Sequence, residues 1–228
     1  MPGFTLETLE DEIVACRRCP RLVAWREEVG RLKRRSFRDE VYWARPVPGF
    51  GDSHARVLVL GLAPGAHGSN RTGRMFTGDS SGDFLYPALY RAGFANQSFV
   101  KDPNDGLILK DIFITALCRC VPPDNKPTPD EMKNCRQYLL QEIEMLQELK
   151  GVVALGKLAY DAAVRHILRL NRMELVPVFS HGAFIPAHEG TPWLLGSYHP
   201  SRQNTQTGRL TADMFDSIWQ QANQLLGK

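Results

Sequence analysis

Four short apolar runs, at residues 56–60, 111–117, 151–155 and 193–198, constrain this chain more than any other feature. Each is bounded by Gly, Pro or polar residues, and each reads as a strand buried on both faces. Segments with helical periodicity lie between and after them, at 84–92, 129–149, 157–170 and 211–226. Thr128, with Glu131 three residues on, is a capping-box signature at the start of the second. Strands alternating with helices predict an α/β fold, a three-layer domain with a central four-stranded parallel sheet flanked by helices. A length of 228 residues supports one substantial core. Residues 1–228 are therefore read as a single domain with a basic N-terminal arm over about residues 1–53. The arm is expected to start with one helix, at 6–26, and to continue as an irregular stretch.

Open parallel sheets bind ligands at the carboxyl edge, so the loops leaving the strands there are where chemistry is expected. The first strand opens into Gly61-Leu62-Ala63-Pro64-Gly65-Ala66-His67-Gly68-Ser69-Asn70-Arg71-Thr72-Gly73-Arg74, and the last into His199-Pro200-Ser201. The glycine-rich segment has neither the Gly-Lys-Ser/Thr of a P-loop nor the spacing of a dinucleotide fingerprint. Its glycines would let a ligand approach the backbone among the polar groups of His67, Asn70, Arg71 and Arg74. Phe76, just beyond, is either a core aromatic or a platform for a flat base. Asp79 or Ser81 suffices as an N-cap for the helix that follows. His199 is the strongest single candidate for chemistry, because it follows a strand and precedes the polar loop 202–208. His54, His166, His181 and His188 have no comparable context. No Ser–His–Asp grouping with a nucleophile elbow is present, which disfavours acyl transfer.

Composition sets looser bounds. Hydrophobic residues are 43% and charged residues 23% of the chain, ordinary values for a globular protein. No stretch approaches the roughly 18 consecutive apolar residues of a membrane span. The acidic residues 1–12 lack the apolar core of a secretory signal, so a cytoplasmic protein is expected. The net charge of +3 says little about partners, but its distribution is lopsided. Arg17, Arg18, Arg21, Arg26, Arg31, Lys33, Arg34, Arg35 and Arg38 crowd the first forty residues. A solvated helix face and a phosphate-contacting stripe both fit that pattern. The five cysteines do not suggest a disulfide framework. Cys16 and Cys19 form a Cys-x-x-Cys near the start, while Cys118, Cys120 and Cys135 lie around the Pro-rich loop 121–129. Prolines there hold the backbone rigid without helix, which suits thiolates converging on one centre. Zinc and a 4Fe–4S cluster both accept four thiolates, and spacing does not choose between them.

Together these motifs resemble the uracil-DNA glycosylase superfamily, specifically its iron–sulfur family 5, with family 4 as a relative. The resemblance runs from residue 16 to about residue 214. It rests on the Cys-x-x-Cys, on Gly61-Leu62-Ala63-Pro64-Gly65, and on Asn70-Arg71-Thr72-Gly73-Arg74 with Phe76-Thr77-Gly78. Arg119-Cys120 with Pro122-Pro123 and Asn125-Lys126, then His199-Pro200-Ser201, complete it. It implies a DNA-repair glycosylase that hydrolyses the N-glycosidic bond of uracil, and of other deaminated bases such as hypoxanthine, leaving an abasic site. It also implies a structural 4Fe–4S cluster on Cys16, Cys19, Cys120 and Cys135, with Cys118 as a core thiol. His199 and Asn70 take catalytic roles in this reading, His199 as donor to the departing base and Asn70 orienting water. Gly61, Ala63, Gly65, Phe76 and Thr115 bind the base, with Asn125 as the alternative to Thr115 for its edge. Arg71, Arg74, Ser201, Arg202, Gln203 and Asn204 contact DNA. Ala63 and Leu62 stand where other branches carry polar or acidic groups, so no general base is expected there. Gly65 replaces the bulky ring of the strictest uracil enzymes. The implied partner is DNA containing uracil or deaminated bases, met by a monomer at the nucleoid. The rivals are a catalytically inactive iron–sulfur DNA sensor and a zinc-stabilised enzyme acting on a free nucleotide.

Overall fold

A computed structural model of the chain describes residues 5–168 and 176–228. The arm contributes α1 (Leu6–Val14), α2 (Pro20–Leu32) and the short β1 (Phe50–Gly51). Then follow β2 (Val57–Gly61), α3 (Ser69–Thr72), α4 (Ser80–Arg91), β3 (Ile112–Ala116) and α5 (Pro129–Met145). The remainder is β4 (Gly151–Leu155), α6 (Lys157–His166), β5 (Phe184–Ile185), β6 (Trp193–Ser197), α7 (Arg202–Gln206) and α8 (Ala212–Leu225). No helix among the described residues is long and apolar enough to cross a membrane.

The four predicted strands pair parallel in the order β3-β2-β4-β6. β1 and β5 add antiparallel at the two edges, so the sheet is mixed and six-stranded rather than four-stranded. Each edge strand has only two residues, too few for any periodic signal in the sequence. Successive strand residues face opposite sides, and this chain uses both. Val57, Val59, Ile114 and Val153 face a core with Leu85 and Leu89 of α4 and Phe215, Ile218 and Trp219 of α8. Leu58, Leu60, Val152 and Ala154 face a second core with Leu139 of α5 and Tyr160 and Ala163 of α6. That two-sided burial is why the strands read as unbroken apolar runs.

The helices depart from expectation in several places; α5 ends at Met145 rather than residue 149, and α6 at His166. The single helix expected at 6–26 is two, α1 and α2, because Pro20 fits a first turn but not a helix interior. The break sets Cys16 and Cys19 on the bend between them. α4 starts at Ser80 rather than residue 84, with Asp79 as its N-cap. Residues 202–206 of the expected loop form α7, capped by Ser201. The capping box of Thr128 and Glu131 is present. Residues 169–170 of the helix predicted at 157–170 lie outside the described residues.

Thr115 belongs to the scaffold. Its hydroxyl donates to Glu142 Oε2 at 2.7 Å and accepts from Arg119 Nη1. Arg119 Nη2 meets the same Glu142 oxygen at 2.6 Å, and both charged side chains are almost fully buried. Removing one partner of a buried pair leaves the other charge uncompensated, at a cost of about 3–5 kcal/mol. Glu142→Ala should lower unfolding stability in urea by about that much, through loss of the buried pair.

Candidate active site

β2 ends at Gly61, and the chain returns to that point at Phe76. A Cβ at residue 61 would approach Phe76 Cζ to 2.9 Å, so glycine lets the ring lie over the strand end. Phe76 has φ +51°, a backbone conformation that costs a non-glycine residue about 1–3 kcal/mol. Its neighbours fix it there. Tyr86 Oη donates to Met75 O at 2.8 Å, and Gly82 has no side chain to strike the Phe76 carbonyl. His199 arrives from the end of β6, its ring centroid 5.9 Å from that of Phe76 and tilted by 31°. At the end of β4, Gly156 (φ +97°) passes beside it, since a Cβ there would lie 3.4 Å from His199 Cβ. Asn204 Nδ2 donates to the His199 carbonyl at 2.9 Å. Burial pushes the imidazole down to about 4, so it is neutral at physiological pH.

A cavity of about 480 Å³ opens between these elements. Ala63, Gly65, Phe76, Asn125, His199 and Ser201 line it, together with His67 and the exposed Arg34. Asp79 is the one carboxylate among the described lining residues. Its Oδ1 accepts from Ser81 N (3.0 Å) and Gly82 N (3.3 Å), which caps α4. Its Oδ2 sits where side chains of Gly65 and Gly68 would be: a Cβ at residue 65 would come to 2.7 Å, and one at 68 would overlap it. Burial raises this carboxyl above the ordinary range, and the two amide donors oppose the shift.

A second cluster lies behind the first. The bend between α1 and α2 brings Cys16 and Cys19 toward Cys120, beyond β3, and Cys135 on α5. Arg26 Nη1 donates to Cys120 Sγ at 2.9 Å, the Arg119 amide to Cys135 Sγ at 3.3 Å, and Asn134 Nδ2 to Cys19 Sγ at 3.6 Å. The thiol of the fully buried Cys118, beside Cys135, draws the latter below the ordinary thiol range. Burial pushes Cys120 up to about 12 against the pull of Arg26. Among the described residues no three His, Cys, Asp or Glu side chains are close enough together to hold a single metal ion.

A sequence model of the uracil DNA glycosylase superfamily matches residues 48–223. The chain belongs to that superfamily. A type-5 uracil-DNA glycosylase of Thermus thermophilus is 52% identical over 97% of this chain and 98% of its own. One of Mycobacterium bovis is 50% identical over 94% of this chain and 80% of its own. A type-4 uracil-DNA glycosylase of Pyrobaculum aerophilum is more distant, 34% identical over 53% of this chain and 54% of its own.

Within this uracil-DNA glycosylase superfamily fold, the sequence-predicted residues divide in two. Ala63, Gly65, Phe76, His199 and Ser201 come together at the cavity, with Gly61 beneath the Phe76 ring. Arg202 and Gln203 are exposed on α7 beside it. The others stand apart. Asn70 is fully buried outside the cavity lining, its Nδ2 on the Arg26 carbonyl at 3.3 Å. Arg71 donates to His67 O (2.8 Å) and Gly78 O (2.9 Å), pairs with Glu40, and braces the glycine loop. Arg74 grips Asp105 through both terminal nitrogens, at 2.9 and 2.6 Å, and is itself buried. These partners are far away in sequence or lie on the backbone, so no local pattern announced them. Asp79 was missed as a cavity residue. Its signal was that an N-cap uses one carboxylate oxygen and leaves the second free.

Above about pH 6.5 the His199 ring is neutral in both folded and unfolded chains. As pH falls the unfolded chain takes the proton first, so the fold loses stability from about 6.5 until His199 itself titrates near 4. An NMR titration should place the ring's midpoint near 4, and His199→Asn should flatten that part of the stability profile.

Proposed function

We infer that this chain is a DNA-repair glycosylase that hydrolyses the N-glycosidic bond of uracil in DNA and leaves an abasic site. The observation that carries the reading is the clamped Phe76 ring and the neutral His199 ring side by side at one cavity. A base inside a duplex is inaccessible, so it must be extruded into a pocket that takes its face and reads its edge. Phe76 takes the face. Asn125, held at φ +56° on the cavity wall, offers its amide to the edge. As the bond lengthens, negative charge gathers on the base oxygen and positive charge on the sugar. The N–H of neutral His199 donates to that oxygen. Losing such a donor typically costs about 3 kcal/mol of barrier. Asp79, made a stronger proton acceptor by burial, holds the attacking water through its free oxygen and offsets the charge on the sugar. Water adds to the sugar carbon, its proton passes to Asp79, and the base leaves with the bonding electrons.

Gly65 bears on which bases enter. Its missing side chain keeps that wall free of a ring, which supports release of hypoxanthine and xanthine as well as uracil. The same space also holds the Asp79 carboxylate. Gly65→Ala should therefore slow release of every base by displacing Asp79, rather than sharpen the preference for uracil. Parallel single-turnover assays on uracil and hypoxanthine duplexes would measure this.

Cys16, Cys19, Cys120 and Cys135 are the proposed ligands of a 4Fe–4S cluster. The donor set fits: thiols from three separate segments meet amide, guanidinium and carboxamide donors, the surroundings that hydrogen-bond cluster sulfurs. Such a cluster supplies a rigid cross-link between the arm and the sheet and takes no part in hydrolysis. Purified without oxygen, the protein should show broad visible absorbance that Cys120→Ala abolishes. Zinc in its place would sink the assignment.

The protein is proposed to act as a monomer on nucleoid DNA in the cytoplasm, with Ser201, Arg202 and Gln203 against the strand. A duplex with one uracil opposite guanine, treated with protein and then alkali, tests the reading. Cleavage at that position alone is expected, reduced on the order of a hundredfold in His199→Ala. Binding without cleavage would favour the sensor reading instead.

A further inference from the structure

Resting on the glycosylase reading, we propose that residues 33–44 form a phosphate clamp gripping the DNA backbone beside the extruded nucleotide. The basic residues of the arm do not share one fate. Those on the helices are engaged: Arg17 with Glu27 at 2.6 Å, Arg21 with Glu131 at 2.7 Å, Arg31 with Glu28 at 3.9 Å. Arg18 lies over the Tyr138 ring, and Arg26 is buried against Cys120. Past Leu32 this changes. Arg34, Arg35 and Arg38 are exposed, and among the described residues none has a carboxylate within ion-pair distance. A solvated helix face explains the first group and not the second, which lies on and around a 3-10 turn (Arg35–Phe37).

The segment carrying these cations is fixed firmly to the cavity wall. The Trp43 amide donates to Arg71 O at 2.9 Å, and that of Ala44 to Asn70 O at 3.0 Å. Tyr42 Oη meets His67 Nδ1 at 3.0 Å, and the Arg34 amide reaches the same hydroxyl at 3.4 Å. The Arg71 guanidinium lies 3.9 Å over the Phe37 ring and pairs with Glu40. Gly73, at φ +83°, leaves room for the Trp43 indole. The residues that receive the segment, His67 and Asn70 to Gly73, belong to the loop that builds the cavity. Arg34 itself lines it. Unpaired cations on a rigid mount beside a pocket for an extruded nucleotide meet the phosphates on either side of that nucleotide. Phosphate, with several acceptor oxygens, is an anion that guanidinium forks match bidentately.

Each phosphate contact on duplex DNA contributes about 0.9 to the slope of log Kobs against log salt. The experiment is that slope, measured with a duplex carrying one uracil, for the wild-type protein and three double variants. Arg35→Ala/Arg38→Ala should lower it by about 2 and weaken binding at low salt. Arg35→Gln/Arg38→Gln, which keeps the size of both side chains, should do the same. Lys150→Ala/Arg165→Ala removes equal charge from exposed sites away from the cavity and should leave the slope unchanged. An unaltered slope in the two Arg35/Arg38 variants, or an equal fall in the control, overturns the clamp. Failure of the wild-type protein to release uracil overturns the glycosylase reading separately, because the slopes are read from binding alone.

Discussion

The Asp79 carboxylate occupies the space that side chains at Gly65 and Gly68 would need, and most of the carboxyl edge is arranged around that fact. One oxygen is tied to the amides that start α4, which anchors the segment after Phe76. The other faces the glycine loop, which can close over it only because two residues lack a Cβ. Phe76 is held between this N-cap and Gly61 in a backbone conformation it would not choose alone. Strain of this kind persists only where the surroundings over-determine it. Here Tyr86, Gly82 and Gly61 do so, and the ring they fix is the one beside His199.

One arginine of the arm touches both the cysteine segments and the glycine loop. The Arg26 side chain lies on Cys120 and on the Cys16 carbonyl, while its own carbonyl accepts from Asn70 in the glycine loop. Asn70 thus links the cysteine cluster to the cavity wall. Arg119 has the corresponding role on the other side, with its amide on Cys135 and its guanidinium buried against Glu142 and Thr115. Neither arginine is free to meet solvent, and loss of either would loosen the cysteine segments and the carboxyl edge together.

The layers were legible in the sequence because burial on both faces leaves apolar runs, and the helices between those runs imply parallel strands; strand order and the two antiparallel edges were not legible. The cavity was half legible. Gly61, Gly65 and Phe76 sit on one stretch directly after β2, and His199 directly after β6, which places them at strand ends. What failed was the assignment of polar side chains inside that neighbourhood. Arg74 finds Asp105, Arg71 finds Glu40 and backbone carbonyls, and Thr115 finds Glu142. Each partner is set by the fold and not by spacing. A buried arginine and a DNA-binding arginine look alike in a string of letters; only the position of an acid many residues away separates them.

The same sorting of charge bears on the role proposed for His199, whose ring is uncharged at neutral pH. Burial beside Phe76 and the ends of β2 and β4 removes water from the imidazole, so the proton is lost well before neutral pH. The cavity then carries a carboxylate, Asp79, without an imidazolium to oppose it. A sugar acquiring positive charge gains from that negative potential, which a second charge of opposite sign close by would cancel. The departing base needs only an oriented N–H, and a neutral ring provides one. The exposed Arg35, Arg38 and Arg202 are not part of the cavity lining, so the phosphate contacts proposed for them would leave the field at the sugar intact.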